Sequence, residues 1–268
     1  MKTSKDSIKV VILAGGLGTR LEEETVLVPK PLLHIGEYPI LWHIMKIYSH
    51  WGFNDFVICL GYKGHLIKEY FADYFLRRSD VSFDFSQGQP VMTVHSSKTE
   101  PWRVTLADTG LETQTGGRIK QIEPYIDGKT FMLTYGDAVS DVNLHKLLAF
   151  HRTHGKKVTL TAVQPPGKWG SLQVNTKGQV NSFVEKPRGD GSWINGGFFV
   201  LDASIFKYLP NKNETVWESG PLETLAKDAQ LMSFKHRGFW KCVDTLRNKR
   251  DLEQLWTAPD APWKLWND

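Results

Sequence analysis

The first strong pattern in the chain is Lys9-Val-Val-Ile-Leu13, a short β-branched run with no polar alternation. Such a run fits a strand of a parallel sheet, buried on both faces. Stretches 55–60 and 131–135 read the same way, and 158–163 is a further strand. Helical periodicity lies between them. Over 39–51, Ile40, Leu41, Ile44, Ile47, Tyr48 and Trp51 form one apolar stripe, with Pro39 in the first turn and Gly52 as the stop. Over 64–75 the stripe is Leu66, Ile67, Tyr70, Phe71 and Tyr74. Asp141 is placed to cap a helix that runs to His154 and stops at Gly155. Strand, helix, strand, helix in succession predicts right-handed crossovers and a parallel sheet.

Elsewhere the pattern is shorter. Segments 81–85, 91–94 and 103–108 read as strands of an insertion, followed by a polar loop over 109–117. Short strands are predicted at 171–174, 180–185 and 197–201, a helix near 222–230, a strand near 232–236 and a last helix over 246–256. No internal repeat breaks the chain. The expectation is one α/β domain over 1–268: a mixed, mostly parallel sheet flanked by helices, with a small β-rich lobe inside a 1–245 core and a helical tail over 246–268.

Composition narrows the class. Apolar residues at 41% and charged residues at 23% of 268 exclude a disordered chain. Two cysteines, Cys59 and Cys242, exclude a disulfide framework, and each sits in an apolar run suited to a reducing compartment. The balance of 33 basic against 29 acidic residues, a net +4, suits an anionic small molecule better than a nucleic acid duplex. No stretch approaches the roughly 20 apolar residues of a membrane span. Residues 1–7 are polar and 10–14 are too short for a signal-peptide core, so the expected location is cytoplasmic.

Chemistry enters at the turns. Gly15-Gly-Leu-Gly-Thr-Arg20 follows the first strand, where glycines let backbone N–H groups approach phosphate oxygens and Arg20 can add a charged contact. A tight turn explains the glycines equally well. The loop is neither a dinucleotide fingerprint, since Leu21 stands where a third glycine belongs, nor a P-loop. Lys30 is locked between Pro29 and Pro31, a stiff mount for an ammonium aimed at a fixed phosphate; a surface turn is the bland reading. Asp137 ends a strand at the sheet edge where α/β proteins bind ligands, and Asp244 ends the apolar run 239–243. Together they offer the one or two carboxylates that Mg²⁺ takes beside substrate phosphates. Apart, they read as a turn residue and a helix N-cap. Glu185-Lys186-Pro187 repeats the proline-fixed lysine, and Asn195-Gly-Gly197 could hydrogen-bond sugar hydroxyls.

Taken in order along almost the whole chain, Leu13-Ala-Gly-Gly-Leu-Gly-Thr-Arg20, Pro29-Lys30-Pro31, Gly136-Asp137, Glu185-Lys186-Pro187 and Asn195-Gly-Gly197 resemble the sugar-phosphate nucleotidylyltransferases. Pro39-Ile-Leu-Trp-His-Ile-Met45, Cys59-Leu-Gly-Tyr-Lys-Gly64, Lys68-Glu-Tyr-Phe71, Asp108-Thr-Gly110 with Thr115-Gly-Gly-Arg118, and Gly238-Phe-Trp240 with Asp244-Thr-Leu-Arg247 are similar to the branch that pairs CTP with glucose 1-phosphate. Val28 where that branch has lysine, Glu37-Tyr38 where it has Gly-Lys, and Ala138 where it has glycine are departures.

The resemblance implies a Rossmann-like fold and a Mg²⁺-dependent, in-line transfer of the cytidylyl group of CTP to α-D-glucose 1-phosphate. It implies nucleotide contacts from Leu13, Ala14, Gly15, Gly16, Leu17, Gly18, Thr19, Arg20, Lys30, Thr113, Arg118 and Gly136. Arg20, Lys30 and Lys186 would carry the catalytic charge, Glu185, Lys186, Asn195 and Gly196 would hold the hexose, and Asp137 and Asp244 would hold the metal. It further implies a role at the head of bacterial CDP-deoxysugar and lipopolysaccharide O-antigen synthesis. A thymidylyl- or uridylyltransferase, or a non-catalytic nucleotide-sugar sensor, stays open as an alternative. Nucleic acid and membrane are not expected partners. The resemblance also implies a homo-oligomer, a hexamer among the candidates. Trp256, Trp263 and Trp266 in the proline-broken tail are expected either to fold back on the domain or to sit at the subunit interface.

Overall fold

The computed structural model describes residues 8–86, 88–167, 171–185, 188, 192–258 and 261–267, with the side chains of Arg20, Glu22, Glu23 and Val174 excepted. Its frame is a seven-stranded sheet in the spatial order Leu231–Lys235, Val158–Val163, Ile194–Asp202, Thr130–Tyr135, Lys9–Leu13, Asp55–Leu60, Arg103–Asp108. Ile194–Asp202 runs antiparallel to both its neighbours, and every other pairing in the sheet is parallel. This is the mixed, mostly parallel sheet that the apolar runs predict.

The unbroken runs have a physical cause. Alternate residues of a strand face opposite sides, and both sides of this sheet are covered. Val10 and Ile12 enter one core with Phe56, Ile58, Met132 and Phe198, under the helices Ile40–His50 and Leu144–His154. Val11 and Leu13 enter the other with Val57, Cys59, Leu133 and Phe199, against Ile119, Trp217 and Leu225. Each such side chain, fully buried, contributes about 1.5–3 kcal/mol.

Several boundaries differ from the sequence reading. The predicted 64–75 helix is two, Gly64–Ala72 and Tyr74–Arg77. The polar 109–117 loop runs into a helix, Thr115–Gln121, whose first turn holds the glycine pair Gly116-Gly117. Asp141 does not cap the helix over 144–154. Asn143 does, accepting from the Lys146 N–H at 2.8 Å, while Asp141 pairs with His236 Nε2 at 2.8 Å. Two two-stranded ribbons, Ser79–Asp84 with Val91–Ser97 and Ser171–Val174 with Val180–Val184, stand apart from the main sheet.

The tail folds back on its own domain. Trp263 and Trp266 are buried and Trp256 half-buried. All three rings surround His43 of the helix Ile40–His50, with centroids 6.0, 6.5 and 4.6 Å away. Gly36 makes room: its φ is +63°, and a Cβ there would stand 2.1 Å from the Trp256 ring. Of the two expectations for these indoles, Trp263 and Trp266 meet the one in which the tail folds back on the domain. The chain itself offers the apolar face that a short tail cannot form alone.

Candidate active site

The carboxyl ends of the adjacent strands Lys9–Leu13 and Thr130–Tyr135 release two loops side by side. One carries Ala14, Gly15, Gly16, Leu17, Gly18 and Thr19; the other is Gly136-Asp137. Gly136 N–H bonds the Leu13 carbonyl at 3.0 Å, and a Cβ on Gly136 would lie 2.8 Å from that oxygen. A cleft of about 250 Å³ opens over these loops, lined by residues 13–16, Gly18, Lys30, Pro31, Gly136 and Asp137 below and by Thr113, Gln114, Thr115, Arg118 and Tyr135 around it. Gly16 faces open space, so its backbone is approachable.

Lys30 is the first residue of a short 3₁₀ turn, Lys30–Leu32, behind an extended Pro29. Its ammonium donates to Asp137 Oδ2 at 2.6 Å and to Asp244 Oδ1 at 2.8 Å. Burial works to lower the Lys30 pKa, but the two carboxylates outweigh it and hold the group above its ordinary value, so it stays charged. A small antiparallel pairing brings the two aspartates together. Ala138–Ser140 pairs with Trp240–Cys242, Ala138 opposite Cys242, and Val243 N–H bonds the Asp137 carbonyl at 2.8 Å. Asp244 is not the cap of the last helix. Thr245 is, in a capping box with Asn248, and the Asp244 carboxylate turns to Lys30 instead.

Two carboxylates converging at a phosphate-sized cleft form a donor set that fits Mg²⁺, which takes its other oxygens from water and phosphate. Among the described residues no group of three or more His, Cys, Asp or Glu forms a closed cage. Cys242 Sγ lies 3.5 Å from Asp244 Oδ2, and burial together with the nearby carboxylates pushes its thiol up to about 12. It is therefore no thiolate nucleophile.

Arg118 has a part that the sequence did not show. Its guanidinium donates to the carbonyls of Gly15, Leu60, Gly110 and Leu111 and to Thr109 Oγ1, at 2.8–3.2 Å. A Cβ on Gly15 would be 2.3 Å from it and one on Gly61 2.5 Å, so both glycines exist to seat it. Its terminal donors hold the glycine loop to the polar loop, and it is itself part of the cleft wall.

Thr113 is buried in that wall, while Leu17 is half exposed at 50% and Thr19 opens a 3₁₀ turn. The Arg20 side chain and all of Lys186 lie outside the described residues. Glu185 is exposed, just beyond the strand Val180–Val184. Asn195 and Gly196 stand at the start of Ile194–Asp202. Asn195 Nδ2 donates to the Tyr135 hydroxyl at 3.2 Å, and the Gly196 carbonyl accepts from Trp240 Nε1 at 2.7 Å. Sequence reasoning missed Tyr135, Thr115, Glu218 and Trp240. Tyr135 was within reach of it, as the residue before Gly136-Asp137, and Thr115 and Trp240 stood in motifs quoted without a role; Glu218 joins them only through the fold.

The nucleotidyl transferase family matches residues 9–254. The chain is 55% identical over 260 residues to the glucose-1-phosphate cytidylyltransferase of Salmonella typhimurium, covering 97% of this chain and 100% of that one. It is 30% identical over 243 residues to the mannose-1-phosphate guanyltransferase of Gibberella zeae, covering 88% and 60%. Among solved structures, HddC from Yersinia pseudotuberculosis superimposes with a TM-score of 0.67 at 23% identity, over 93% of this chain and 100% of that one, a likeness of fold.

Proposed function

The chain belongs to the nucleotidyl transferase family, and from that premise we propose that it is a glucose-1-phosphate cytidylyltransferase, making CDP-glucose and pyrophosphate from CTP and α-D-glucose 1-phosphate. The observation that carries this reading is the Lys30 ammonium held between Asp137 and Asp244 beside the glycine loop. The high identity to the Salmonella enzyme over both full lengths supports the base and the sugar.

The reaction asks little acid–base work of the protein. A phosphate oxygen of the sugar phosphate, already an anion, forms a bond to the α-phosphorus of CTP as the bond to pyrophosphate breaks. The obstacles are repulsion between two polyanions, their alignment and the charge leaving with pyrophosphate. The backbone of residues 14–19 receives the nucleotide, and Lys30 and Arg20 neutralise its phosphates. Lys186 is assigned to neutralise the sugar phosphate, and Glu185, Asn195 and Gly196 to position the hexose. Thr113 lines the nucleotide wall, with Arg118 fixing that wall in place. Asp137 and Asp244 would hold Mg²⁺, which when bound supplies further neutralisation of phosphate charge.

Lys30 then has two partners in turn. Without nucleotide, its charge is matched by the two carboxylates. Asp137 and Asp244 are also the residues that would hold Mg²⁺, and Lys30 would then turn its ammonium to nucleotide phosphate.

The exposed apolar side chains of the ribbon Ser79–Asp84/Val91–Ser97, among them Phe83, Met92 and Val94, support assembly into a homo-oligomer. Among the described residues no helix is long and apolar enough to cross a membrane. The free thiols Cys59 and Cys242 suit the cytoplasm, where the product would enter bacterial deoxysugar and O-antigen synthesis.

Pyrophosphate release with glucose 1-phosphate and each of CTP, UTP and dTTP tests the reading. Turnover with CTP at least tenfold above the others is expected. Preference for UTP or dTTP would reassign the base, and no turnover with any would leave a binding role.

A further inference from the structure

We propose that Glu218 is a positioning residue that ties the sugar-phosphate side of the cleft to its nucleotide wall, acting through Tyr135 on one carboxylate oxygen and Thr115 on the other. The proposal rests on the reading of the reaction given above and adds a residue to it. Tyr135 lines the cleft and donates its hydroxyl proton to Glu218 Oε1 at 2.5 Å. Thr115, which also lines the cleft, donates to Glu218 Oε2 at 2.7 Å. One carboxylate thus braces two side chains from different elements, the end of Thr130–Tyr135 and the start of Thr115–Gln121.

Each brace leads into the site. On the sugar side, the Tyr135 hydroxyl accepts from Asn195 Nδ2 at 3.2 Å, and Asn195 Oδ1 accepts from the Gly197 N–H at 2.9 Å. These two bonds set which way the amide faces, leaving one N–H to meet a hexose hydroxyl. The Tyr135 ring is itself fixed. Gly197 has a φ of +77°, and a Cβ there would stand 2.5 Å from the ring. On the nucleotide side, Thr115 opens the helix that carries Arg118, and Arg118 holds the Gly15 carbonyl at 2.9 Å.

Glu218 stands on a firm base. The preceding segment is bonded to the polar loop through Gln114 N–H to the Asn213 carbonyl at 2.7 Å and Gly117 N–H to the Thr215 carbonyl at 3.0 Å. Trp217 N–H bonds Thr115 Oγ1 at 2.9 Å, and the Trp217 ring is fully buried. Burial and the Glu218 charge both push the Tyr135 phenol up, so it remains a donor to that carboxylate through the working pH range.

The test uses the full chain. Glucose 1-phosphate is titrated calorimetrically into wild type, Glu218→Ala, Tyr135→Phe and the double variant, and KM and kcat are measured with CTP. Each single change is expected to weaken glucose 1-phosphate binding about tenfold, the scale of one charge-assisted hydrogen bond, with kcat within about threefold. The double variant should be no worse than the weaker single, because both break one chain of bonds. Glu218→Gln, which keeps an acceptor for the phenol, should recover most of the affinity. Tyr135→Phe is a small change that keeps the ring, so it decides the matter if Glu218→Ala unfolds. Sugar-phosphate affinity within twofold of wild type in Tyr135→Phe, or losses that multiply in the double variant, would overturn the proposal. A wild type that binds glucose 1-phosphate but prefers another nucleotide would change the reaction assigned above and leave this titration valid. A wild type that does not bind glucose 1-phosphate would overturn both.

Discussion

Two buried nitrogen bases meet opposite fates in this molecule. Lys30 and His43 are both withdrawn from water, Lys30 with 15% of its side chain exposed and His43 with none. Around Lys30 stand two carboxylates, and the ammonium is kept charged. Around His43 stand Trp42, Trp256, Trp263 and Trp266. Burial there pushes the imidazole down to about 4, so it is neutral at pH 7. Its Nε2 lies 2.9 Å from the Ile35 carbonyl, and Nδ1 accepts from Trp263 Nε1 at 3.4 Å. The tautomer with the proton on Nε2 satisfies both. Desolvation acts the same way on each base, and the neighbours decide the outcome. One region spends burial on a charge to be handed to a ligand; the other uses a neutral polar ring to lock a tail.

The comparison breaks hardest at Lys30. Lys30→Ala should lower turnover by about 10²–10³-fold, the scale of one transition-state electrostatic contact. Lys30→Arg should recover little, since a planar fork does not replace a point charge. Near-normal turnover in the alanine variant would remove Lys30 from the site.

Acid should act on the other base. The unfolded chain takes up a proton at His43 near pH 6.5, the folded chain only near 4. Its contribution to stability is therefore complete above about pH 6.5 and falls as pH drops toward 4, by up to about 3 kcal/mol. His151, also pushed down to about 4 by burial, adds in the same direction. Urea unfolding at pH 7 and pH 5 measures the loss. His43→Asn should flatten the slope; an unchanged slope would place the proton uptake elsewhere.

Asp244→Asn sharpens the contrast between a site charge and a structural one. Because Thr245 makes the cap, the substitution should leave the thermal midpoint within about 2 °C. Activity should fall at least tenfold, as an amide is a poorer magnesium ligand. A lower midpoint with activity retained would make Asp244 a structural residue. The smallest effect belongs to Trp263→Phe. It keeps one aromatic ring but loses the pyrrole ring's packing and its bond to His43 Nδ1, and should cost at least about 1 kcal/mol in the same unfolding measurement. No loss would show that neither the bond to His43 nor the second ring of the indole is needed to hold the tail.

Much of the site's inventory could be read in advance. Lys30 between prolines, the glycine loop after the first strand and Asp137 after the apolar run 131–135 are local signals, because backbone stiffness and strand ends are written in neighbouring residues. Asp244 could be flagged yet not distinguished from a cap until the Thr245–Asn248 box was seen. Arg118 was assigned to the nucleotide loop, but not to the carbonyls it holds. Nothing near it in sequence announces that its acceptors are the carbonyls of Gly15 and Leu60.

By itself the sequence determined the layered α/β sheet, since a run apolar on both faces has no other stable place, and it determined the residue types gathered at the sheet's ligand edge. Only the tertiary structure decided which of them meet. Lys30 reaches Asp137 and Asp244 across 107 and 214 residues because Ala138–Ser140 pairs with Trp240–Cys242. The tryptophan tail is intramolecular because the helix Ile40–His50 offers it an apolar wall and Gly36 leaves room for an indole. Periodicity and stiffness act over a few residues and are legible along the chain. Pairing of distant segments depends on register and packing, which exist only once the chain has closed on itself.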